Sequence, residues 1–176
     1  IEPGKVRHSG GRLLEVGCWP TGSDSTCQEF ASDLTEAGME AVVDERVIDG
    51  KWGKLARNLA NAYLALVNLS VQEASCYPSD RQFISDVNEE AANVFDAANI
   101  SVRTVGKRNL RQQIARLREP GVWSARPPVT DATRSYPSTW QDLALQRGQV
   151  EVDHFNGVVV RLGEKYGVPT PLNRVL

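Results

Sequence analysis

Three polar side chains at helical spacing are the residues of this sequence best suited to chemistry. Lys54, Asn58 and Asn61 follow one another at offsets of four and three, so a helix would present them on one face, with Asn68 on the same stripe. A neighbouring stripe is apolar and should face a core; it comprises Leu55, Leu59, Ala62 and Leu66. One cation flanked by amide donors can bind and protonate a carbonyl or a carboxylate. The alternative interpretation is a partly buried polar seam between two helices.

A second polar cluster lies further along the chain. Ser138 and Asp142 are four residues apart, and Glu151 follows nine residues after Asp142. Each residue also has a structural interpretation, because Ser138 could cap a helix and acidic side chains in a first helical turn are favoured by the helix dipole. His154 could act as a base, although a surface or core histidine is the commoner case. This cluster alone does not identify a function.

The composition is typical of an ordinary soluble globular protein, with 176 residues, 41% of them hydrophobic and 24% charged. The net charge of −2 gives no electrostatic reason to expect nucleic acid or an anionic membrane as a partner. No apolar run in the sequence approaches the roughly 20 residues that cross a bilayer, and we expect no signal peptide. Cys18, Cys27 and Cys76 lack metal-ligand spacing. We therefore expect a cytoplasmic protein with reduced thiols and no metal, while a chance cysteine pair stays open.

The spacing of hydrophobic residues, which indicates the type of secondary structure that positions these side chains, changes near residue 47. Before it, short alternating runs at 5–8 and 12–17 predict a β-hairpin or two adjacent strands. Asp24 can cap a helix that runs to about Glu36, and a third strand follows at 39–43. Strand, strand, helix and strand in so short a stretch are the tail of an α/β layer rather than a complete one.

After residue 47 the hydrophobic period is helical. The pattern predicts helices over 48–69, 79–98, 109–118, 138–147 and 151–166, with a long proline-containing loop over 119–137. Ser79 and Ser138 are the expected N-caps of the second and fourth of these helices. The outer side of the second is expected to carry Asp86, Glu89 and Glu90. Asn156 and Gly157 could instead form a hairpin turn, but the apolar residues around them keep helical spacing and favour a helix.

Three motifs, in this order, resemble the C-terminal domain of the ketopantoate reductase family (2-dehydropantoate 2-reductases). They are Lys51-Trp-Gly-Lys-Leu-Ala-Arg-Asn58, then Ser138-Thr-Trp-Gln-Asp142 with Glu151-Val-Asp-His-Phe-Asn-Gly157, and finally Gly163-Glu-Lys-Tyr-Gly-Val-Pro-Thr-Pro171-Leu-Asn173. Residues 3–8 and 38–49 also resemble the end of the family's nucleotide-binding domain. The resemblance therefore extends over nearly the whole chain.

This resemblance implies a mainly α fold, in which a helical C-terminal domain of the 6-phosphogluconate-dehydrogenase-like type follows a small α/β remnant of a Rossmann domain. Residues 1–46 would be the tail of an incomplete nucleotide-binding domain, and residues 47–176 an all-helical domain for substrate binding and dimerisation. The chain contains no Gly-x-Gly-x-x-Gly loop. NADPH would therefore be bound mainly by a domain upstream of Ile1, and we expect the chain alone to be inactive. A homodimer is the expected assembly.

The family reduces a 2-keto acid to the 2-hydroxy acid with NADPH, as in the conversion of ketopantoate to pantoate in pantothenate biosynthesis. By the resemblance, Lys54 is the catalytic general acid, and Glu151 lies where cofactor and substrate meet. Substrate binding is assigned to Asn58, Asn61, Ser138 and Asp142, although Asp142 could serve only to orient Ser138 or Lys54.

The sequence also departs from the family pattern. Ala62 stands where the family's second asparagine is usual, and Asn61 comes one residue early. The spacing from Asp142 to Glu151 is one residue longer than in the best-known members, and Trp140 replaces a smaller apolar residue. The substrate could thus be another small or branched 2-keto acid. Two further interpretations stay open, namely a non-catalytic helical dimerisation or interaction module, and an unrelated helical carrier or regulator.

Overall fold

The computed structural model describes residues 4, 13–103, 109–120 and 129–176. The chain divides into two compact units, Ile1–Ile48 and Asp49–Leu176. The division of labour between a nucleotide-binding tail and a substrate-binding domain stays a prediction.

The first unit contains a strand, a helix and a second strand. These are β1 (Leu13–Val16), α1 (Ser25–Glu36) and β2 (Glu40–Val43). The strands pair in parallel with Leu13 opposite Glu40, as expected when a helix forms the crossover. The predicted helix and the strand after it are confirmed, and the Asp24 carboxylate caps α1 by accepting a hydrogen bond from Cys27 N at 2.9 Å. The predicted strand at 5–8 lies outside the described residues.

The second unit is helical, which confirms the predicted mainly α class. Its helices are α2 (Val47–Asn58), α3 (Ala60–Leu66), α4 (Val71–Ala74), α5 (Pro78–Ala97), α6 (Leu110–Arg118), α7 (Ser138–Ala144), α8 (Val152–Tyr166) and α9 (Pro171–Val175). The helices predicted at 79–98, 109–118 and 151–166 are confirmed to within one residue at each end. Asn156 and Gly157 lie inside α8, so the hairpin alternative is wrong.

The single helix predicted over 48–69 is wrong in two respects. It is interrupted at Leu59, whose N–H bonds to Ala56 O in a tighter turn and whose carbonyl accepts a hydrogen bond from the Asn156 side chain at 3.2 Å. It also ends at Leu66, and Asn68 then takes a left-handed backbone with φ 55°. A tertiary contact from α8 therefore accompanies a break that the local sequence pattern does not announce.

Two predicted helix starts and one predicted end are also corrected. Pro137 and Tyr77 hold the N-cap positions of α7 and α5, so that Ser138 and Ser79 lie inside the helices rather than at their caps. Pro78 is the first residue of α5. An N–H at this position would make no hydrogen bond within the helix, so proline is tolerated there. Helix α7 ends at Ala144 instead of 147, because Gln146 adopts a left-handed backbone with φ 51°.

Helix α5 passes through the centre of the apolar core. Its buried Val87, Ala91, Val94 and Phe95 pack with Leu59, Leu110, Ile114 and Val159 from the surrounding helices. Trp52 of α2 leans on Phe95, with ring centroids 5.4 Å apart. This packing fixes α2 and α8 against the same central helix. Among the described residues, no helix combines the length and the apolar character that a bilayer span requires.

Gly163 marks the closest approach within α8, and its replacement by alanine tests this packing. A Cβ at Gly163 would lie 2.7 Å from the Val168 carbonyl oxygen, so the backbone that returns to Thr170 would have to move. We expect Gly163→Ala to lower the free energy of unfolding by about 1–3 kcal/mol. Gly157→Ala in the same helix is the matched control, because its Cβ would approach closely only the flexible end of Arg161 and would make an ordinary contact with Asp153 at 3.7 Å.

Urea unfolding of both variants measures the difference. Gly157→Ala should be neutral or stabilising by up to about 1 kcal/mol, since alanine is the better helix former. Equal stabilities for the two variants would show that the contact at Gly163 relaxes without cost.

Candidate functional site

A cleft of about 450 Å³ brings together residues from both polar clusters of the sequence. Asn58, Asn61 and Ser138 all line it. Its other polar groups come from Arg57, Ser75, Arg81, Asn88 and Gln113, and its apolar wall from Ala60, Leu64, Val71, Ile84, Leu117 and Pro137. None of the described residues that line the cleft is acidic, whereas two are arginines. The cleft therefore suits a small anionic molecule with an apolar part.

The polar stripe of α2 and α3 passes from solvent into this cleft. Lys54 is exposed, Asn58 is half-buried and Asn61 is buried. Lys54 lies one helical turn before Asn58 on α2 and is not among the residues that line the cleft. Lys54, Asn58 and Asn61 therefore follow one another at intervals of about one helical turn. The cation lies at the surface, and the two amides lie progressively closer to the interior.

Ser138 reaches the cleft because α7 is fixed against the end of α3 and the start of α4. Trp140 Nε1 donates a hydrogen bond to Asn68 Oδ1 at 2.7 Å. Val71 N donates to Ser135 O at 3.0 Å, and Ser135 N donates to Gln72 Oε1 at 2.8 Å. Trp140, one of the departures from the family pattern, therefore has a positioning role in this chain.

A capping box holds α4 beside the cleft. The Ser70 side chain accepts from Glu73 N, and Ser70 N and its hydroxyl both donate to the Glu73 carboxylate. These two hydrogen bonds, together with Arg134, hold the pKa of Glu73 below its usual value. On α3, burial and a 2.6 Å hydrogen bond to Asp80 raise the pKa of Tyr63 to about 12. Glu73 therefore stays ionised and Tyr63 stays neutral at neutral pH. Both side chains keep these hydrogen bonds, which hold the helices in place.

Arg81 is the cleft residue that sequence reasoning missed. It lies in the first turns of α5, is only 8% exposed, and donates from Nη1 to the Ser75 carbonyl at 2.9 Å. Arg81, Ile84 and Asn88 follow one another at offsets of three and four, and all three line the cleft. The sequence did contain a signal for Arg81, because this arginine lies on the same face of the helix as residues that point into the core. A charged side chain in such a position must face a polar site or a partner.

The other three predicted site residues lie outside the cleft lining. Asp142 accepts a hydrogen bond from Arg147 Nη1 at 2.7 Å, so its carboxylate is paired within α7 and the turn that follows. Glu151 holds the exposed N-cap position of α8. The structure therefore groups Asn58, Asn61 and Ser138, and the roles of all six predicted site residues stay predictions.

A buried amide network joins α8 and α9 to α5 and to the interruption at Leu59. Asn156 Nδ2 donates to Leu59 O at 3.2 Å and to Asn173 Oδ1 at 3.1 Å. Asn173 Nδ2 donates to Val87 O at 3.0 Å and to Glu90 Oε2 at 2.9 Å. The Glu90 carboxylate also accepts from the backbone N–H groups of Leu172 and Asn173, so it caps α9. Glu90 therefore links α5 to α9, and the prediction that it faces outward is wrong.

This chain is similar to known proteins over most of its length. The family model for the ketopantoate reductase PanE/ApbA C terminal matches residues 46–176. The 2-dehydropantoate 2-reductase of Halobacterium salinarum is 28% identical over 177 residues, covering 99% of this chain and 53% of that protein. The chain spans about half the length of the curated relatives it matches.

Solved structures show the same fold. A PanE/ApbA family ketopantoate reductase from Ralstonia eutropha JMP134 superposes with a TM-score of 0.72 at 29% identity, over 96% of this chain and 50% of that one. D-mandelate dehydrogenase, solved with NADH and anilino(oxo)acetate, superposes with a TM-score of 0.72 at 23% identity, over 93% of this chain and 49% of that one.

Proposed function

Because the chain belongs to the ketopantoate reductase family, we propose that it is the substrate-binding part of an NADPH-dependent reductase of a small 2-keto acid. The family match confirms the resemblance drawn from the three motifs. The observation that carries the proposal is the convergence of Asn58, Asn61 and Ser138 with Arg81 in a cleft without an acidic lining residue among those described. Ketopantoate is the first substrate to test, since relatives are named for it.

The cleft offers a separate group for each part of a 2-keto acid. The Arg81 guanidinium and the Ser138 hydroxyl can bind the carboxylate, because a planar guanidinium matches carboxylate geometry and its hydrogen bonds to a carboxylate are charge-assisted. The amides of Asn58 and Asn61 can donate to the carbonyl oxygen. The aliphatic side chains of Leu64 and Ile84 would contact the branched part of the substrate.

Lys54 would supply the proton. Reduction of a ketone turns its oxygen into an alkoxide, and an ammonium within hydrogen-bond reach stabilises that charge and then protonates it. Lys54 lies one helical turn from Asn58, which the proposal places against the same carbonyl. The long, flexible lysine side chain can extend from the surface of α2 to the mouth of the cleft.

The cofactor would contribute the hydride, but this chain does not provide its main binding site. The sequence lacks a glycine-rich phosphate loop, and the cleft residues suit a carboxylate rather than a dinucleotide. Glu151, at the exposed start of α8, is the residue of this chain that we assign to the boundary between cofactor and substrate. The choice of NADPH over NADH is part of the proposal.

The proposal includes a cytoplasmic homodimer. Helices α3 and α7 pack together, and Leu66, Leu143 and Leu145 at their ends are 71%, 56% and 61% exposed. Large apolar side chains that are exposed to this degree favour contact with a second copy.

Turnover by the longest protein that the gene encodes tests the proposed activity. NADPH oxidation is followed with ketopantoate and a panel of small 2-keto acids. We expect oxidation that depends on the keto acid and yields the matching 2-hydroxy acid. Oxidation at the same rate without a keto acid, or none with any member of the panel, would favour the non-catalytic interaction module instead.

Replacing Arg81 by glutamine tests the anion-binding part of the cleft. We expect KM for the keto acid to rise by about tenfold to a hundredfold, because a hydrogen bond to a charged partner contributes roughly 1.5–3 kcal/mol. The change in kcat should be smaller, since carboxylate binding is shared by the ground state and the transition state. Arg161→Gln, at an exposed arginine of α8, is the control for loss of a positive charge.

Arg81 also bonds to the Ser75 carbonyl, so thermal unfolding of each variant is measured alongside the kinetics. Arg81→Lys keeps the charge and should recover part of the affinity. An unchanged KM in a folded Arg81→Gln protein would remove Arg81 from the substrate site.

A further inference from the structure

Cys18, Asp24 and Cys27 converge in the first unit, and none of them is assigned a role in the proposed reaction. One ligand atom from each, two sulfurs and a carboxylate oxygen, lies within 4.8 Å of the other two. The two sulfurs are 3.5 Å apart. Cysteine spacing alone did not reveal this group, because its third member is an aspartate and one cysteine precedes α1 while the other lies within it.

The backbone holds each of the three side chains in place. Asp24 is fixed as the N-cap of α1 by its bond to Cys27 N, and Cys27 occupies the third position of that helix. Cys18 lies in a tight turn, in which its N–H donates to Gly22 O at 2.9 Å. Gly22 N in turn donates to Glu45 O at 2.7 Å, which ties the turn to the segment after β2. The group is therefore preorganised, and a ligand would not need to order it.

The distance between the two sulfurs, which share a thiol hydrogen bond, is compatible with a common metal ion. Two thiolates on a tetrahedral zinc ion, each with a bond of about 2.3 Å, have their sulfurs roughly 3.8 Å apart. The observed 3.5 Å is close to that separation. A disulfide bond of about 2.05 Å would require the sulfurs to approach by about 1.5 Å.

Ligand chemistry points to the same occupant. Cysteine sulfur and carboxylate oxygen are both zinc ligands, and the two thiols lose their protons as the metal binds. Thiolate ligands select zinc over magnesium or calcium, which prefer oxygen. Cys27 is buried, Cys18 is half-buried and Asp24 is exposed, so an ion can enter from the solvent side.

We propose that Cys18, Asp24 and Cys27 bind one zinc ion, with a water molecule as the fourth ligand. Binding converts two thiols and one carboxylate into three metal bonds and releases two protons, with no change in oxidation state. The ion would join the turn after β1 to the first turn of α1 and so stabilise the first unit. This role is independent of the proposed reductase activity.

Metal binding by the longest form of the protein is measured directly, after reduction and removal of metal with a chelator. Zinc is titrated in competition with a chromophoric chelator, and cobalt is then used as a spectroscopic probe. We expect one zinc per chain, and with cobalt a thiolate-to-metal charge-transfer band together with the visible bands of a tetrahedral ion.

Three variants separate the ligands from their surroundings. Cys18→Ser should weaken zinc binding by about tenfold or more and abolish the charge-transfer intensity of one sulfur. Asp24→Asn keeps a good N-cap and removes the charged ligand, so it should weaken binding while α1 stays folded. Cys76→Ser, at an exposed cysteine outside the group, should bind zinc as the parent does.

Two results would overturn the proposal. One is zinc affinity that is absent, or unchanged by Cys18→Ser. The other is a Cys18–Cys27 disulfide in peptides mapped from protein purified without reductant, since that would assign the pair to redox chemistry. Neither readout depends on enzyme turnover, so failure here would leave the proposed function untouched.

Discussion

Replacement of Lys54 by alanine is expected to lower kcat for keto acid reduction by a factor of about one hundred or more. The ammonium is proposed to stabilise and protonate the oxygen that becomes an alkoxide, an interaction that is stronger in the transition state than in the ground state. KM should therefore change much less than kcat. Steady-state kinetics on the longest protein that the gene encodes gives both constants.

Lys51 provides a matched control for this experiment. It is an exposed lysine on α2, three residues before Lys54, so Lys51→Ala removes the same charge from the same helix. We expect Lys51→Ala to keep nearly full activity, and both variants to unfold at nearly the parent temperature because both side chains are exposed. Equal losses in the two variants would mean that general surface charge, and not a specific proton donor, accounts for the effect.

Replacement of Asn173 by alanine is expected to have the largest effect on stability, lowering the free energy of unfolding by about 3 kcal/mol. Asn173 is only 2% exposed, and its side chain joins Asn156, Glu90 and the Val87 carbonyl. Its removal breaks three side-chain hydrogen bonds, although Asn156 keeps the Leu59 carbonyl and Glu90 keeps two backbone donors. A partner lost at a buried polar group costs roughly 1–3 kcal/mol. Denaturant unfolding monitored by circular dichroism measures the change.

The neighbouring residue gives the control. Arg174 is 58% exposed and pairs with Glu164 at 2.6 Å, and an exposed ion pair contributes at most about 1 kcal/mol. Arg174→Ala should therefore unfold close to the parent. If Asn173→Ala were no less stable than Arg174→Ala, the amide network would not be what holds α9 and the interruption at Leu59 in place.

The spacing of hydrophobic residues predicted that most of the long helices exist, but it did not predict where every helix begins and ends. Helix α5 was predictable because Val87, Ala91, Val94 and Phe95 repeat at helical spacing along a single buried face. The interruption at Leu59 was not, because its carbonyl is engaged by Asn156, which lies 97 residues away in sequence. The short helix α4 was also missed, since four residues are too few to show a period.

Some residues of the candidate site could likewise be predicted from the sequence, and others could not. The motifs placed Asn58 and Ser138 together through family resemblance, and the cleft contains both. Arg81 belongs to no motif, and the interpretation of its helix from the sequence assigned it no role. Glu90 was assigned to the outer side by its charge, although the N–H groups of α9 approach it from a distant part of the chain. Convergence of this kind depends on tertiary contacts that a local pattern does not contain.

Transfer of deuterium from NADPH to the substrate is the decisive test of the proposed reduction. The longest protein that the gene encodes is incubated with ketopantoate, or another 2-keto acid from the panel, and NADPH carrying deuterium at the reactive carbon of the nicotinamide. We expect a 2-hydroxy acid with one deuterium at C2, detected by mass spectrometry, and far less of it with Lys54→Ala. Product without deuterium, or no product from any 2-keto acid, would contradict it.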